Sequence, residues 1–230
     1  MTLDWSLLSD SRKEYARGWQ AIDWTLYELC RKYPDHEDEA GVRAKLWLIG
    51  RTFATGIERV IPSDRTQGSS MGKLARHVFS RHAQVDRIVK PLRSLSGPLT
   101  RQKLETILAG HHEFVQFLST FIRSVSPDGK AKEPHSFASK YLHFHCPLVP
   151  IFDSVANTEL RSLVPMKKVT ARLDSGGKRD EVYAGYASRF WQLYKMARTA
   201  GFDSNVRDLE FFVLWCAERR IASSSTRLPK

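Results

Sequence analysis

The sequence predicts a compact all-α fold of about seven to nine helices. Apolar residues recur at spacings of three and four over most of the chain, and no segment keeps the alternation in twos that a half-buried strand requires. Proline and glycine punctuate these stretches at lengths suited to globular helices, and 42% hydrophobic residues in a chain of 230 can fill a core. One helical domain is expected over residues 1–230, with lobes of 1–125 and 126–222 if it divides, and a flexible tail at 223–230.

Over residues 11–32, Tyr15, Trp19, Ile22, Leu26 and Leu29 form an apolar stripe that Tyr33-Pro34 ends. Residues 37–60 give a second helix, with Val42, Leu46, Ile49, Phe53 and Ile57 on one side and Ile61-Pro62 closing it. Arg43, Arg51 and Arg59 share a flank of it. Residues 63–70 are polar, contain Gly68 and read as a loop before a helix over 71–83. Lys73, Arg76, His77, Arg81, His82, Arg87, Lys90 and Arg93 then crowd a stretch opposed by Asp86 alone, which marks either a solvated face or a phosphate-contacting one.

Ser96-Gly97-Pro98 breaks the chain again, and Thr100 is placed to N-cap a long, central helix to residue 125. Leu104, Ile107, Leu108, Val115, Leu118 and Ile122 face inward on it. Ser126-Pro-Asp-Gly129 is turn chemistry, with Lys130 and Lys132 at the loop tip. A helix beginning near Ser136 and a short one over 154–163 follow, then a basic, glycine-containing loop over 165–178 that includes Lys167 and Lys168. The last two helices span 179–200, with Val182, Tyr186, Phe190, Leu193 and Ala197 inward, and 205–221, with Leu209, Phe212, Val213 and Cys216 inward.

Charge narrows the partners. Thirty-six Lys and Arg against 25 Asp and Glu give a net charge of +11 and a pI near 9.7, which favours a polyanion, nucleic acid first. Cys30, Cys146 and Cys216 lie far apart in apolar segments, a pattern of neither a disulfide framework nor a metal knuckle. A reducing cytoplasm fits that usage. No apolar run is long enough to span a bilayer and the N-terminus lacks a signal-peptide layout, so no membrane partner is expected.

The chemistry-bearing stretch is Val149-Pro-Ile-Phe-Asp153, an apolar link that ends in a carboxylate just before a helix. At that position Asp153 would accept bonds from free backbone amides, which makes it a helix cap and also fixes its charge at the mouth of a groove. Tyr141, Phe144, Phe152, Trp191 and Trp215 are candidate aromatics for a base pocket, each with plain core packing as the alternative. Metal is not expected, because His143 and His145 diverge on a helix and no second pair has ligand spacing.

Two segments, Ala138-Ser-Lys-Tyr-Leu-His-Phe-His145 and Val149-Pro-Ile-Phe-Asp153-Ser, resemble the helix-hairpin-helix DNA glycosylases. The likeness is to the 8-oxoguanine glycosylase-like branch and its short bacterial relatives in antiviral defence. Residues 46–59 also look like those relatives. The resemblance implies a DNA-binding enzyme of base excision in which Asp153 is the catalytic carboxylate. Members that also nick the strand carry a lysine just before the Ala-Ser pair, where this chain has His135 and Ser136; Lys140 lies one helical turn on.

The function implied is that of a monofunctional, cofactor-free, monomeric glycosylase. It would excise a modified base flipped out of double-stranded DNA, hypermodified cytosine in phage DNA being one candidate, and leave an abasic site. Asp153 and Lys140 are the candidate catalytic residues. Tyr141, Phe144, His143, His145, Phe152 and Trp215 are expected at the base pocket. Arg51, Arg59, Lys73, Arg76, Arg81, Lys130, Lys132, Lys167 and Lys168 are expected against DNA. A non-catalytic module that binds DNA or a modified nucleotide on the same fold is the alternative, and a helical adaptor for an acidic protein is a third.

Overall fold

A computed structural model describes residues 3–63, 69–126, 133–169 and 180–225, without the side chains of Lys168 and residues 221–225. Every regular element among them is helical: α1 (Ser6–Gly18), α2 (Gln20–Lys32), α3 (Glu39–Thr52), α4 (Ile57–Val60), α5 (Ser70–Ser80), α6 (His82–Arg93), α7 (Arg101–Val125), α8 (His135–His145), α9 (Ser154–Leu163), a short 3-10 turn (Met166–Lys168), α10 (Glu181–Thr199) and α11 (Val206–Ser225). Lys130, Lys132, the tail from residue 226 and most of the two polar loops expected from the sequence lie outside the described residues.

The all-helical class and most elements follow the pattern read from the sequence, and three departures raise the number of helices. The first stripe is broken at Trp19, because α1 packs on α11 whereas α2 packs on α3 and α8. That leaves Trp19 and Ile22 more than a third exposed. The second expected helix stops at Thr52, where Ala54 and Gly56 take positive φ of 45° and 73°. A Cβ is strained in that region, so glycine suits the second of these positions. The break puts Arg59 on a separate short helix, off the line of Arg43 and Arg51. Arg81 separates α5 from α6, so the basic run is divided between two helices, and on α6 Val85, Ile88, Val89 and Leu92 are buried beneath the exposed charges of Arg87, Lys90 and Arg93. On α10, Val182 is exposed, while the other expected inward residues are buried.

Caps fix several starts. Thr100 accepts the Lys103 amide, Asp38 that of Gly41, and Asp180 those of Val182 and Tyr183. Gly41 has a second duty, since a Cβ there would lie 2.6 Å from Tyr33 Cδ1 and 2.7 Å from its Cγ. Gly41→Ala is expected to destabilise by about 1–3 kcal/mol through overpacking, read as a lower urea midpoint at unchanged slope.

One apolar cluster runs from Leu8 to Val213, and α8 is the helix it encloses most fully. Packed among α2, α3, α6 and α7, α8 buries every residue from Phe137 to His145, four of them polar or ionisable besides Tyr141. A helix buried all round is normally apolar all round. Here Ser139, Lys140 and His143 are buried with hydrogen-bond partners, and Lys140 and Ser139 reach the segment that leads to α9.

Candidate active site

After α8 the chain turns at residues 147–149 and then runs through the interior to α9 without regular structure, and no strand lies beside it among the described residues. Side chains satisfy its backbone instead. The Val149 carbonyl lies 2.7 Å from His143 Nδ1, the Pro150 carbonyl accepts from the Tyr183 hydroxyl at 2.7 Å, and that of Ile151 accepts from the Tyr186 hydroxyl at 2.6 Å. The Ile151 amide donates to Glu210 and the Phe152 amide to Ser139 Oγ at 2.9 Å. Leaving any of these buried groups unmade would cost on the order of 1–3 kcal/mol. The segment is therefore a fixed strut.

The strut delivers Asp153 to the N-cap of α9 in extended geometry, where Oδ1 accepts the Val155 amide at 2.9 Å. Its other oxygen, Oδ2, lies 3.3 Å from Lys140 Nζ. Lys140 also donates to Ser136 Oγ at 3.0 Å and to the Phe53 carbonyl at 3.4 Å, which uses its three protons. The break after α3 leaves that carbonyl free of a helical partner and so available to the ammonium. Burial lowers the Lys140 pKa, and the adjacent Asp153 works against the shift. The pair is layered: the Lys140 side chain is 4% exposed beneath, and that of Asp153 is 33% exposed in front.

The two helix breaks meet at this place. Phe53 stacks on Trp19 with ring centroids 5.8 Å apart and meets Phe144 at a tilt at 5.4 Å, and Lys140 Nζ sits 5.7 Å from the Phe53 ring centroid. Below them Arg207 bridges two buried carboxylates, Asp23 at 2.6 Å and Glu210 at 3.1 Å, with its guanidinium 4.6 Å from the Phe211 ring centroid. Tyr15 adds a hydrogen bond to Asp23 at 2.9 Å. Through Glu210 this ion triad grips the Ile151 amide and therefore the strut.

Asp153 and Lys140 thus come together as one pair. Lys140, one helical turn past Ser136 in the sequence, meets Asp153 because the link after α8 brings that residue back over the helix. Tyr141, His143 and His145 are core residues. Tyr141 bonds His36 Nε2 at 2.7 Å, and His143 joins Tyr27 to the strut. Phe144 is buried and touches the site through Phe53, while Phe152 packs edge-on against Tyr186 and His135. Trp215 and Trp191 are half-buried on α11 and α10. Trp19, Phe53, Arg207 and Glu210 are the participants that sequence reasoning missed. A Gly18-Trp19 step and Gly56 were the only local hints.

Of the basic residues, Arg51 is exposed two positions before Phe53, lying 4.3 Å over the Trp47 ring and 3.2 Å from Glu58. Arg59 and Arg76 are exposed and Lys73 half-buried on the neighbouring α4 and α5. Arg81 lines a separate groove of about 670 Å³ with His77, Arg87 and Phe121. Lys167 is exposed after α9. No helix among the described residues is long and apolar enough to cross a membrane.

No protein-family model, curated protein or solved structure matches the chain.

Proposed function

We propose that the protein is a monofunctional DNA glycosylase with Asp153 as its catalytic carboxylate. The observation that carries the reading is the layering of the pair, with a fixed, partly exposed Asp153 in front of a buried Lys140. When the N-glycosidic bond breaks, its electron pair leaves with the base and positive charge grows on the sugar. A carboxylate held by the Val155 amide and a buried ammonium stabilises that charge without reorganising, and it orients the water that attacks from the opposite face. Lys140 stays covered beneath Asp153, so no Schiff base forms and the abasic site remains.

Trp19 and Phe53, partly exposed beside the pair, are suited to stack on a base that has left the duplex. Arg51, Arg59 and Arg76 supply positive charge on adjoining helices. Hypermodified cytosine in phage DNA is the first substrate to try.

The test incubates the protein with duplexes bearing different modified bases, followed by hot alkali to cut at abasic sites. The wild type should release base and leave the strand intact until alkali is added. Asp153→Asn should lower release about 10²- to 10³-fold while DNA affinity is retained. Undiminished release in that variant refutes the assignment. Salt-dependent DNA binding without release from any substrate supports the alternative, a binding module with no chemistry.

A further inference from the structure

We propose that His111, His135 and Asp180 form a binding site for a first-row divalent transition cation such as Zn²⁺. The three come from mid-α7, the first residue of α8 and the N-cap of α10, and their ligand atoms all lie within 4.8 Å of one another. His135 Nδ1 is 2.6 Å and His111 Nδ1 is 3.6 Å from the same Asp180 oxygen, Oδ2. None of these three buried atoms has a hydrogen bond of acceptable geometry. Two imidazoles and a carboxylate are a donor set that such cations take readily.

What surrounds the three groups favours an ion over a chance cluster. A metal-bound histidine normally gives its other ring nitrogen to a carboxylate or a backbone carbonyl, which fixes the ring. His135 Nε2 faces Glu133 Oε2 at 3.2 Å, and His111 Nε2 faces the His135 carbonyl at 3.4 Å. Asp180 spends Oδ1 on the amides of Val182 and Tyr183, at 3.0 and 3.1 Å. Each side chain thus has its outer atom engaged and its inner atom directed at the common point. Donors placed tetrahedrally at about 2.0–2.2 Å from a cation sit roughly 3.3–3.6 Å apart, which His111 Nδ1 and Asp180 Oδ2 already match at 3.6 Å, while Asp180 Oδ2 has to withdraw by roughly 0.7–1 Å from His135.

The site adjoins the strut without sharing a residue with it. Tyr183, whose hydroxyl holds the Pro150 carbonyl, stacks on His111 with centroids 3.6 Å apart, and Phe152 meets His135 edge-on at 6.0 Å. A bound cation would tie α7, α8 and α10 together directly behind the link to Asp153. The histidine pair weighed in the sequence, His143 and His145, takes no part. The absence of metal expected there followed from looking for ligand spacing along the chain, whereas these ligands sit on three different helices.

The experiment strips the full chain with a chelator and titrates it with Zn²⁺ by calorimetry and with Co²⁺ by visible absorption. One equivalent should bind, with Co²⁺ d–d bands of low coordination number and a raised melting temperature. His135→Asn should abolish uptake. Glu133 is half-exposed, so Glu133→Gln keeps the fold and should weaken binding about 10- to 100-fold. Failure to take up one equivalent overturns the proposal, and so does uptake unchanged in His135→Asn.

Discussion

Arg207→Met is expected to lower the stability of the protein by about 3–5 kcal/mol. The substitution keeps much of the side-chain volume and removes the one cation between Asp23 and Glu210, which are 1% and 3% exposed in their side chains. Asp23 would then be left buried without its cation, and Glu210, raised to about 7 even beside Arg207, would take up a proton and lose its charged grip. Burial alone would lower the Arg207 pKa, yet Glu210 and Asp23 raise it, so the guanidinium stays charged at any working pH. Urea unfolding checks the figure, with a loss below about 1 kcal/mol counting against it. The damage should also reach the site, because Glu210 freed from Arg207 no longer holds the Ile151 amide firmly. Base release, where a substrate has been found, should therefore fall further than the loss of folded protein explains.

Acid should destabilise the protein through its buried histidines. Burial, assisted by Lys45, lowers His36 to about 4; burial, assisted by Arg207, lowers His143 to about 3; and His145 is driven well down by burial and Lys45. In the unfolded chain each ring protonates near 6.5, so between that value and about 4 the unfolded state binds protons that the folded state refuses. Stability is therefore full above about pH 6.5 and falls as the pH drops, by roughly 2 kcal/mol at pH 5 for each of His36 and His143, with His145 acting in the same direction. Glu210 acts in the opposite sense. Burial raises it to about 7 despite Arg207, so on acidification it gains its proton in the folded state first and returns roughly 2 kcal/mol. The histidine loss exceeds what Glu210 returns, so stability is expected to fall from about pH 7.5 to 5, and urea midpoints at several pH values measure it. In Glu210→Gln the returning part vanishes and the pH dependence should steepen. A midpoint constant across the range would refute the account.

What the sequence disclosed is what local chemistry determines. Thr100 and Asp153 cap helices because their side chains reach amides two or three residues on, and α7 buries its expected stripe because a 3.6-residue period needs no knowledge of the partner. Trp19 shows the limit. Its apolar stripe continues without a gap through a break, since periodicity records which side is apolar and says nothing of α1 and α2 choosing different partners. Phe53 is a similar case, with Ala54 at a positive φ that no propensity predicts. Contacts across the fold were not legible at all. Arg207 meets Asp23 from 184 residues away, and Lys140 turns toward Asp153 only because the strut brings that residue back over the helix.

The strut has a consequence for the order of folding. Its backbone partners are separated from it by 6 residues at His143, 13 at Ser139, 33 and 35 at Tyr183 and Tyr186, and 59 at Glu210. A β-strand in a hairpin recruits its neighbour from nearby sequence, whereas this segment cannot be satisfied until α8, α10 and α11 have all docked. Loop-closure entropy therefore places the alignment of Asp153 among the last events on the folding route, and until α10 and α11 dock the backbone groups of Pro150 and Ile151 lack their native partners.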